Sequence, residues 1–491
     1  MSATSVTDDA RPARPPALVW LLCALCVVIA ACAGSGVQPD DDAVAPADPQ
    51  ATAVPIPPES DDPTAQQPGV GLDPGSAAAT ASAPPPATAP AAPLNPAQDL
   101  AALIQGMTLE QKVGQVFTAT VIGDDATQVS AGAATANLTL YGVETPAEVV
   151  QRYHLGGVAY FDHDQGAGTS NVADLSRTAT LSAGLQAAAA GDTGLGLLIG
   201  TDQEGGRVVR LEAPATVFPA ARDIGDTGRV DLAEQAGEVT ATEARSVGVN
   251  WVYAPDADVN VNPANPVIGD RAFGTTAPVV TEFVIATARG LAAGGVLPTL
   301  KHFPGHGDTT IDSHNSLPTI DHDRTTLDQV DFPPFAAASD LAPVSVMIGH
   351  LAVPALDPSG TPATLSPAII AVLRQDLGYD GLVVTDAMNM GALRGFGDSG
   401  ALAVQALIAG VDMILMPTDL AMAWNGVRAA VLDGRIPVAR LDQAVLHVLQ
   451  AKDAIGVLDA TTLTAPTDPA GVLGSQSHQD LREAIGTACG C

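Results

Sequence analysis

From residue 96 onward the chain alternates between two hydrophobic rhythms. Short apolar runs rich in β-branched residues lie at 116–122, 157–161, 195–201, 251–255, 297–301, 344–349, 382–385 and 413–416. Short runs of this composition predict strands. Between them lie longer Ala-rich stretches with helical period, among them 173–190, 232–246, 277–293, 367–377 and 401–409. Strand candidates alternating with helices in this way predict an α/β fold, a TIM-type (β/α)8 barrel over 96–460 with a C-terminal helical tail over 461–491. A doubly wound open sheet is the alternative, but the first strand is not followed by the glycine fingerprint of a dinucleotide-binding turn.

A barrel of this kind places its chemistry where strands end and the following loops begin. The polar residues of this chain fall at those points. Asp202 follows the third apolar run, Asp256 and Asp258 the fourth, Lys301 and His302 close the fifth, His350 the sixth and Asp386 the seventh. Acids and bases at so many strand ends are not what packing alone would select.

Composition separates the N-terminal part from the barrel. Arg11 and Arg14 precede an apolar run, 17–31, that is too short for a comfortable membrane span. It ends Ile29-Ala30-Ala31-Cys32, which has the form of a bacterial lipobox, so 1–31 is expected to be a lipoprotein signal peptide and Cys32 its lipidation site; an ordinary cleaved signal peptide is the alternative. Cys23 and Cys26 have redox-motif spacing but lie inside the segment to be removed. Residues 32–95 are dominated by Ala, Pro, Asp and Gly, lack Lys and Arg, and are expected to be a disordered tether. The expected location is therefore outside the cytoplasm, anchored to the membrane by lipid. The expected barrel has no cysteine and needs no disulfide; Cys489 and Cys491 could pair or bind metal and are assigned no function.

The formal charge of −33 extends well beyond the acids of the tether. Such a surface repels phosphate backbones, so nucleic acid is not an expected partner. The lysines are Lys112, Lys301 and Lys452, and Lys301 stands inside a motif.

Four segments carry candidate chemistry. Thr201-Asp202-Gln203-Glu204-Gly205-Gly206-Arg207-Val208-Val209-Arg210 joins acids, a glycine pair and two arginines in one turn. Carboxylates beside guanidinium groups suit a sugar, whose neighbouring hydroxyls both donate and accept; a structural ion-pair network is the competing explanation. The Pro- and Asn-rich stretch 260–274 reads as an ordered loop with Arg271 facing a ligand. Lys301-His302-Phe303-Pro304-Gly305-His306-Gly307-Asp308, followed by Asp312-Ser313-His314, raises a zinc hypothesis, but Pro and Gly break any helix here and the spacing lacks the helical pair of a zinc protease. In an extended loop residues two apart point the same way, so Asp312 can hold the His314 imidazole and fit it for proton transfer. In Val383-Val384-Thr385-Asp386-Ala387-Met388-Asn389, Asp386 is a lone acid at the end of a buried run. It is either a covalent nucleophile or an N-cap for the next helix.

Together these segments, with Met107-Thr108-Leu109-Glu110-Gln111-Lys112 at one end and the stretch to about Ile485 at the other, resemble glycoside hydrolase family 3 in its NagZ-type β-N-acetylglucosaminidase branch. The Lys301 to His314 segment with its Asp-Ser-His ending is the most specific part of the likeness. The resemblance implies Asp386 as nucleophile, His314 as acid/base and Asp312 as its partner. It implies Asp202, Arg210, Arg271, Lys301 and His302 as sugar-binding residues. The expected reaction is double displacement with retention, with no metal or organic cofactor, on N-acetylglucosamine-containing cell-wall glycan, by a monomer. The Gly- and Pro-bounded loop ahead of His314 is expected to be mobile and to close over substrate. The helix expected around 477–485 resembles the one leading into a second domain of larger family members, so a one-domain member has to find its acid/base inside the barrel. The competing functions are a phosphorylase, a β-glucosidase or β-xylosidase of the same family, and a lipoprotein that only binds wall glycan.

Overall fold

The computed structural model describes residues 96–161, 170–463 and 468–491. The expected signal peptide, Cys32 and the whole of the tether lie outside the described residues. Eight parallel strands form one sheet: β1 (Phe117–Ala119), β2 (Gly157–Tyr160), β3 (Leu198–Thr201), β4 (Trp251–Val252), β5 (Leu297–Phe303), β6 (Ser345–Ile348), β7 (Leu382–Thr385) and β8 (Ile414–Leu415). β1 to β7 pair one with the next in chain order, and β8 pairs with β1 through Phe117 opposite Ile414. The gap between β7 and β8 is bridged at Val384 and Met413, where the Thr385 N–H donates to the Met413 carbonyl at 3.0 Å. The sheet is thus a closed (β/α)8 barrel, and the open-sheet alternative falls away.

Alternation along each strand divides the core. Ala159, Leu198, Trp251, Leu297, Met347, Leu382, Val384, Met413 and Leu415 pack with one another inside the barrel. Their neighbours Val158, Ile199, Val252, Leu300, Val346, Val383 and Ile414 pack outward against the helices. Both faces are dry, which is why the strands read as continuous apolar runs. The interior is filled, not hollow: the Trp251 indole Nε1 donates to Thr299 Oγ1 at 2.8 Å and Ser345 Oγ at 3.0 Å, closing a small polar knot inside the apolar barrel.

Helices such as Leu175–Asp192, Val230–Ser246, Ala277–Ala293 and Ser399–Ala409 cover the outside. Local chemistry fixes their ends. Asp174 caps the first through the Ser176 and Arg177 N–H groups, and Asp398 caps the last, which stops at Gly410 in the left-handed conformation. The stretch 367–377 is a helix that begins at Pro367 and widens into a π-turn over Val372–Asp376. After β8 come helices Leu420–Leu432 and Val438–Ala454, then a terminal helix, Gln476–Cys489. Buried Glu243 ties this last segment to the barrel. It accepts from the Gly474 N–H at 2.9 Å and lies 2.7 Å from His478 Nδ1. Cys489 and Cys491 are joined to each other as a disulfide. No helix among the described residues is long and apolar enough to cross a membrane.

Candidate active site

The strand ends converge on a cleft of about 640 Å³ at the C-terminal face of the barrel. Its walls include all eight residues expected to act there: Asp202, Arg210, Arg271, Lys301, His302, Asp312, His314 and Asp386. Its floor is the top of the barrel interior, with Tyr253, Met347 and Leu415 exposed to it.

One wall is a charge network. β3 delivers Asp202, and the short hairpin after it (203–209) delivers Glu204 and leads to Arg210. Lys301, buried on β5, places its Nζ 2.8 Å from Asp202 Oδ1 and 2.5 Å from Glu204 Oε1. Arg271 grips the same Glu204 with two parallel bonds, 2.8 Å from Nε to Oε2 and 2.9 Å from Nη2 to Oε1. Arg210 reaches Asp202 at 3.6 Å and lies over the Phe161 ring at 5.7 Å. Burial pushes the Glu204 carboxyl up, but the Arg271 and Lys301 charges outweigh it and hold the group far below the usual carboxylate range. The same carboxylates, against burial, keep Lys301 and Arg271 charged. The ion-pair network expected as the competing explanation is present. The pairs orient polar groups that face the cleft.

Sequence reasoning quoted Glu204 without giving it a part, and it is the hub. Asp258, expected at the end of the fourth apolar run, was given no part either. That residue lies 2.8 Å from His302 Nδ1 and accepts the His306 N–H at 2.6 Å, so it fixes the His302 ring and the base of the following loop. Burial, reinforced by the Arg271 charge, pushes His302 down to about 4, so it acts as a neutral imidazole. Burial pushes Asp258 up, and it pushes Asp256 up with help from the Asp258 charge.

The three histidines that raised the zinc hypothesis do not share a centre. His306 is engaged at both ring nitrogens, by Ser313 Oγ at 3.0 Å and Thr309 Oγ1 at 3.0 Å. His314 pairs with Asp312. Among the described residues Asp256, Asp258 and His302 bring one potential ligand atom each to within 4.8 Å of one another. The Arg271 guanidinium already stands 3.5 Å from Asp256, supplying positive charge at that point.

On the opposite side stand Asp386 and His314. Asp386 follows β7 directly, and its Oδ1 accepts the Ala387 N–H at 2.7 Å. That bond turns the side chain over the strand end; it does not cap a helix, since the short 3₁₀ turn Gly391–Leu393 follows Met390 and the next α-helix, Ser399–Ala409, is capped by Asp398. Burial raises its pKa, the neighbouring His302 and His350 rings and the Ala387 N–H lower it, and the carboxyl ends below the usual range. His350, expected at the end of the sixth strand, is a buried support whose Nε2 lies 3.0 Å from the Ala387 carbonyl.

His314 sits at the cleft rim with 64% of its side chain exposed. Asp312 Oδ1 takes both its backbone N–H at 2.9 Å and its Nδ1 at 2.8 Å. With Nδ1–H committed to the carboxylate, Nε2 is the nitrogen left for proton exchange on a side chain that lines the cleft. Burial pushes Asp312 up, yet the bonds from His314 leave its pKa below normal. The loop that carries the pair is fastened to the segment behind Asp386: Gly391 N–H donates to the His314 carbonyl at 2.9 Å and Ala392 N–H to the Ser313 carbonyl at 3.1 Å.

Residues 108–451 match the glycosyl hydrolase family 3 N-terminal domain. The chain belongs to glycosyl hydrolase family 3. Beta-hexosaminidase LpqI of Mycobacterium tuberculosis is 35% identical over 333 residues, which are 65% of this chain and 81% of that family member. Beta-hexosaminidase A of Pseudoalteromonas piscicida is 39% identical over 288 residues, 55% of this chain and 47% of the relative, so this chain spans about half of it. Among solved structures, a glycoside hydrolase family 3 beta-N-acetylglucosaminidase from Paenibacillus sp. str. FPU-7 superposes with a TM-score of 0.70 at 38% identity, covering 78% of this chain and 69% of that one.

Proposed function

We propose that this family 3 protein is a retaining exo-β-N-acetylglucosaminidase that frees N-acetylglucosamine from cell-wall glycan fragments. The observation that carries the reading is the presence in one cleft of an ionised carboxylate, Asp386, and a carboxylate-oriented imidazole, His314. In the first step Asp386 attacks the anomeric carbon and the C–O bond to the aglycone breaks, while protonated His314 gives its Nε2 proton to the departing oxygen. In the second step neutral His314 takes a proton from water, the water oxygen displaces Asp386, and the β-configuration is restored. Asp312 stabilises the imidazolium form in each cycle. Asp202, Arg210, Arg271, Lys301 and His302 bind the sugar hydroxyls, with Glu204 and Asp258 holding the cations and the imidazole in place. The names of the relatives, beta-hexosaminidase and beta-N-acetylglucosaminidase, support the choice of sugar.

The test compares a chromogenic β-N-acetylglucosaminide with the matching β-glucoside, each with and without phosphate. Free N-acetylglucosamine, formed preferentially and at a rate indifferent to phosphate, is the expected result. A β-glucoside turned over as fast, or a sugar phosphate as product, would overturn it. The same reading takes the mature protein to be held outside the cytoplasmic membrane by acyl chains on Cys32, supported by the Ile29-Ala30-Ala31-Cys32 sequence. Cys32→Ala should then move the protein from the membrane to the soluble fraction; a variant that still sediments with membranes excludes that anchor.

A further inference from the structure

His322 takes no part in the chemistry above, yet it stands between two carboxylates. Its Nδ1 lies 2.7 Å from Asp331 Oδ2 and its Nε2 lies 3.0 Å from Asp308 Oδ2. A neutral imidazole has one N–H and can donate to one of them only, so carboxylates on both nitrogens call for the imidazolium form. The two acids belong to different parts of the fold. Asp331 is buried at the end of the π-turn Leu327–Asp331, part of the framework between β5 and β6. Asp308 belongs to the loop 304–314, which carries Asp312 and His314. The loop also starts on Asp331, because Gly305 has φ +129° and a Cβ there would come within 2.7 Å of Asp331 Oδ1.

The loop is fastened at several points. At its far end the Gly391 and Ala392 N–H groups hold the His314 and Ser313 carbonyls, bonds that no accessible pH alters. At its near end the His306 N–H donates to Asp258 at 2.6 Å and Asn265 Nδ2 donates to the His306 carbonyl at 2.9 Å, while the contact at Asp308, two residues on, depends on the His322 proton. We propose that His322 is a positioning residue: as an imidazolium bridging Asp331 and Asp308 it holds the acid/base loop in the arrangement that brings His314 to the cleft, and loss of its proton releases the Asp308 end.

The surrounding charges favour that proton. The hydrogen bond to Asp331 comes first; burial opposes it, the Asp331 charge and then Asp308 add to it, and the pKa of His322 stands above the ordinary histidine value. Asp323, the next residue in the chain, adds a third negative charge. The neighbouring cation, Arg324, is turned away to Asp328 at 2.8 Å and Asp376 at 2.9 Å. Because the folded pKa is raised, the fastening is fully present below the ordinary histidine pKa and is lost as pH rises through the raised value.

The inference rests on His314 being the acid/base, but its test separates the two. Amide hydrogen exchange of the full chain is followed over peptides covering 304–316 at about pH 6 and about pH 9, corrected for intrinsic rates, either side of the histidine range. The wild type should lose protection of this loop at the higher pH. His322→Gln, which hydrogen-bonds without charge, should lack that protection at both pH values. So should Asp308→Asn, which leaves the His322–Asp331 pair intact and decides the matter if His322→Gln does not fold. Both variants should lower kcat/KM for diacetylchitobiose by roughly tenfold to a hundredfold, the scale of a misplaced catalytic group, and leave an activated aryl glycoside nearly unchanged. His314→Ala should keep the wild-type exchange pattern. Loop protection that is flat with pH in the wild type, or retained in both variants, overturns the proposal. So does a loss of protection spread over the barrel strands. If His314 has some other function, the leaving-group contrast vanishes while the exchange result stands.

Discussion

Asp386 and His314 differ in setting, and the difference decides what each substitution does. Asp386 is buried, held by the Ala387 N–H and kept ionised by its neighbours. Asp386→Asn preserves that shape and removes the attacking charge, so kcat should fall on the order of 10⁴-fold or more with the thermal transition little changed. Mass spectrometry after incubation with a 5-fluoro glycoside should find the label on the wild-type peptide that contains Asp386; a label on any other carboxylate defeats the assignment. His314 is exposed and replaceable without loss of packing. For His314→Ala the fall in kcat/KM should be about 10² to 10⁴-fold for a disaccharide, whose leaving oxygen needs a proton, and much smaller for a nitrophenyl glycoside, whose leaving group does not. A loss independent of leaving-group pKa would mean that His314 serves structure alone.

At the scale of elements, the approach of the His314 loop to the turn behind Asp386 is close enough to test with one methyl group. A Cβ on Gly391 would sit 2.6 Å from the carbonyl oxygens of His314 and Asn315, so backbone must shift to admit it. Gly391→Ala should reduce disaccharide turnover by about ten- to a hundredfold while leaving the barrel folded; wild-type kinetics would show that the loop tolerates displacement. This contact was not legible in the sequence, and the reason is general. The eight strands could be read because each is apolar on both faces, and 382–385 and 277–293 agree with the structure to the residue. Strands such as 251–255 end earlier, at Val252, because the barrel needs only a few paired residues before the chain must turn out into catalytic loops. The site residues could be read because chemistry follows strand ends, so Asp202, Lys301 and Asp386 announce themselves by position. Glu204 and Asp258 act through partners 67 and 44 residues away, the members of the Asp308–His322–Asp331 bridge are 14 and 9 residues apart across a turn of the chain, and nothing in local spacing records such pairings. A partial signal existed for Asp258: like His302, it closes an apolar strand.

For the whole molecule the buried charges matter more than the surface ones. Lys452 is enclosed, with its Nζ 2.6 Å from Gln115 Oε1 and, among the described residues, no carboxylate bonded to it, and burial pushes its pKa down to about 7. In the unfolded chain a lysine titrates near about 10.4. Between those values the unfolded state binds the extra proton, so this group makes folding stability rise with pH, by up to a few kcal/mol at about 1.4 kcal/mol per pKa unit. Chemical denaturation at about pH 7 and about pH 10 should show that rise in the wild type relative to Lys452→Met, which lacks the group; equal pH dependence in the two proteins would mean that water reaches Lys452. The filled barrel interior has a consequence of another kind. With Trp251 knotted to Thr299 and Ser345 beneath Tyr253 and Met347, the cleft has no exit through the barrel. On the proposed function, a glycan that enters it has to leave by the way it came, so the rate on a wall would follow the supply of chain ends and depend on whatever else cuts that wall into pieces.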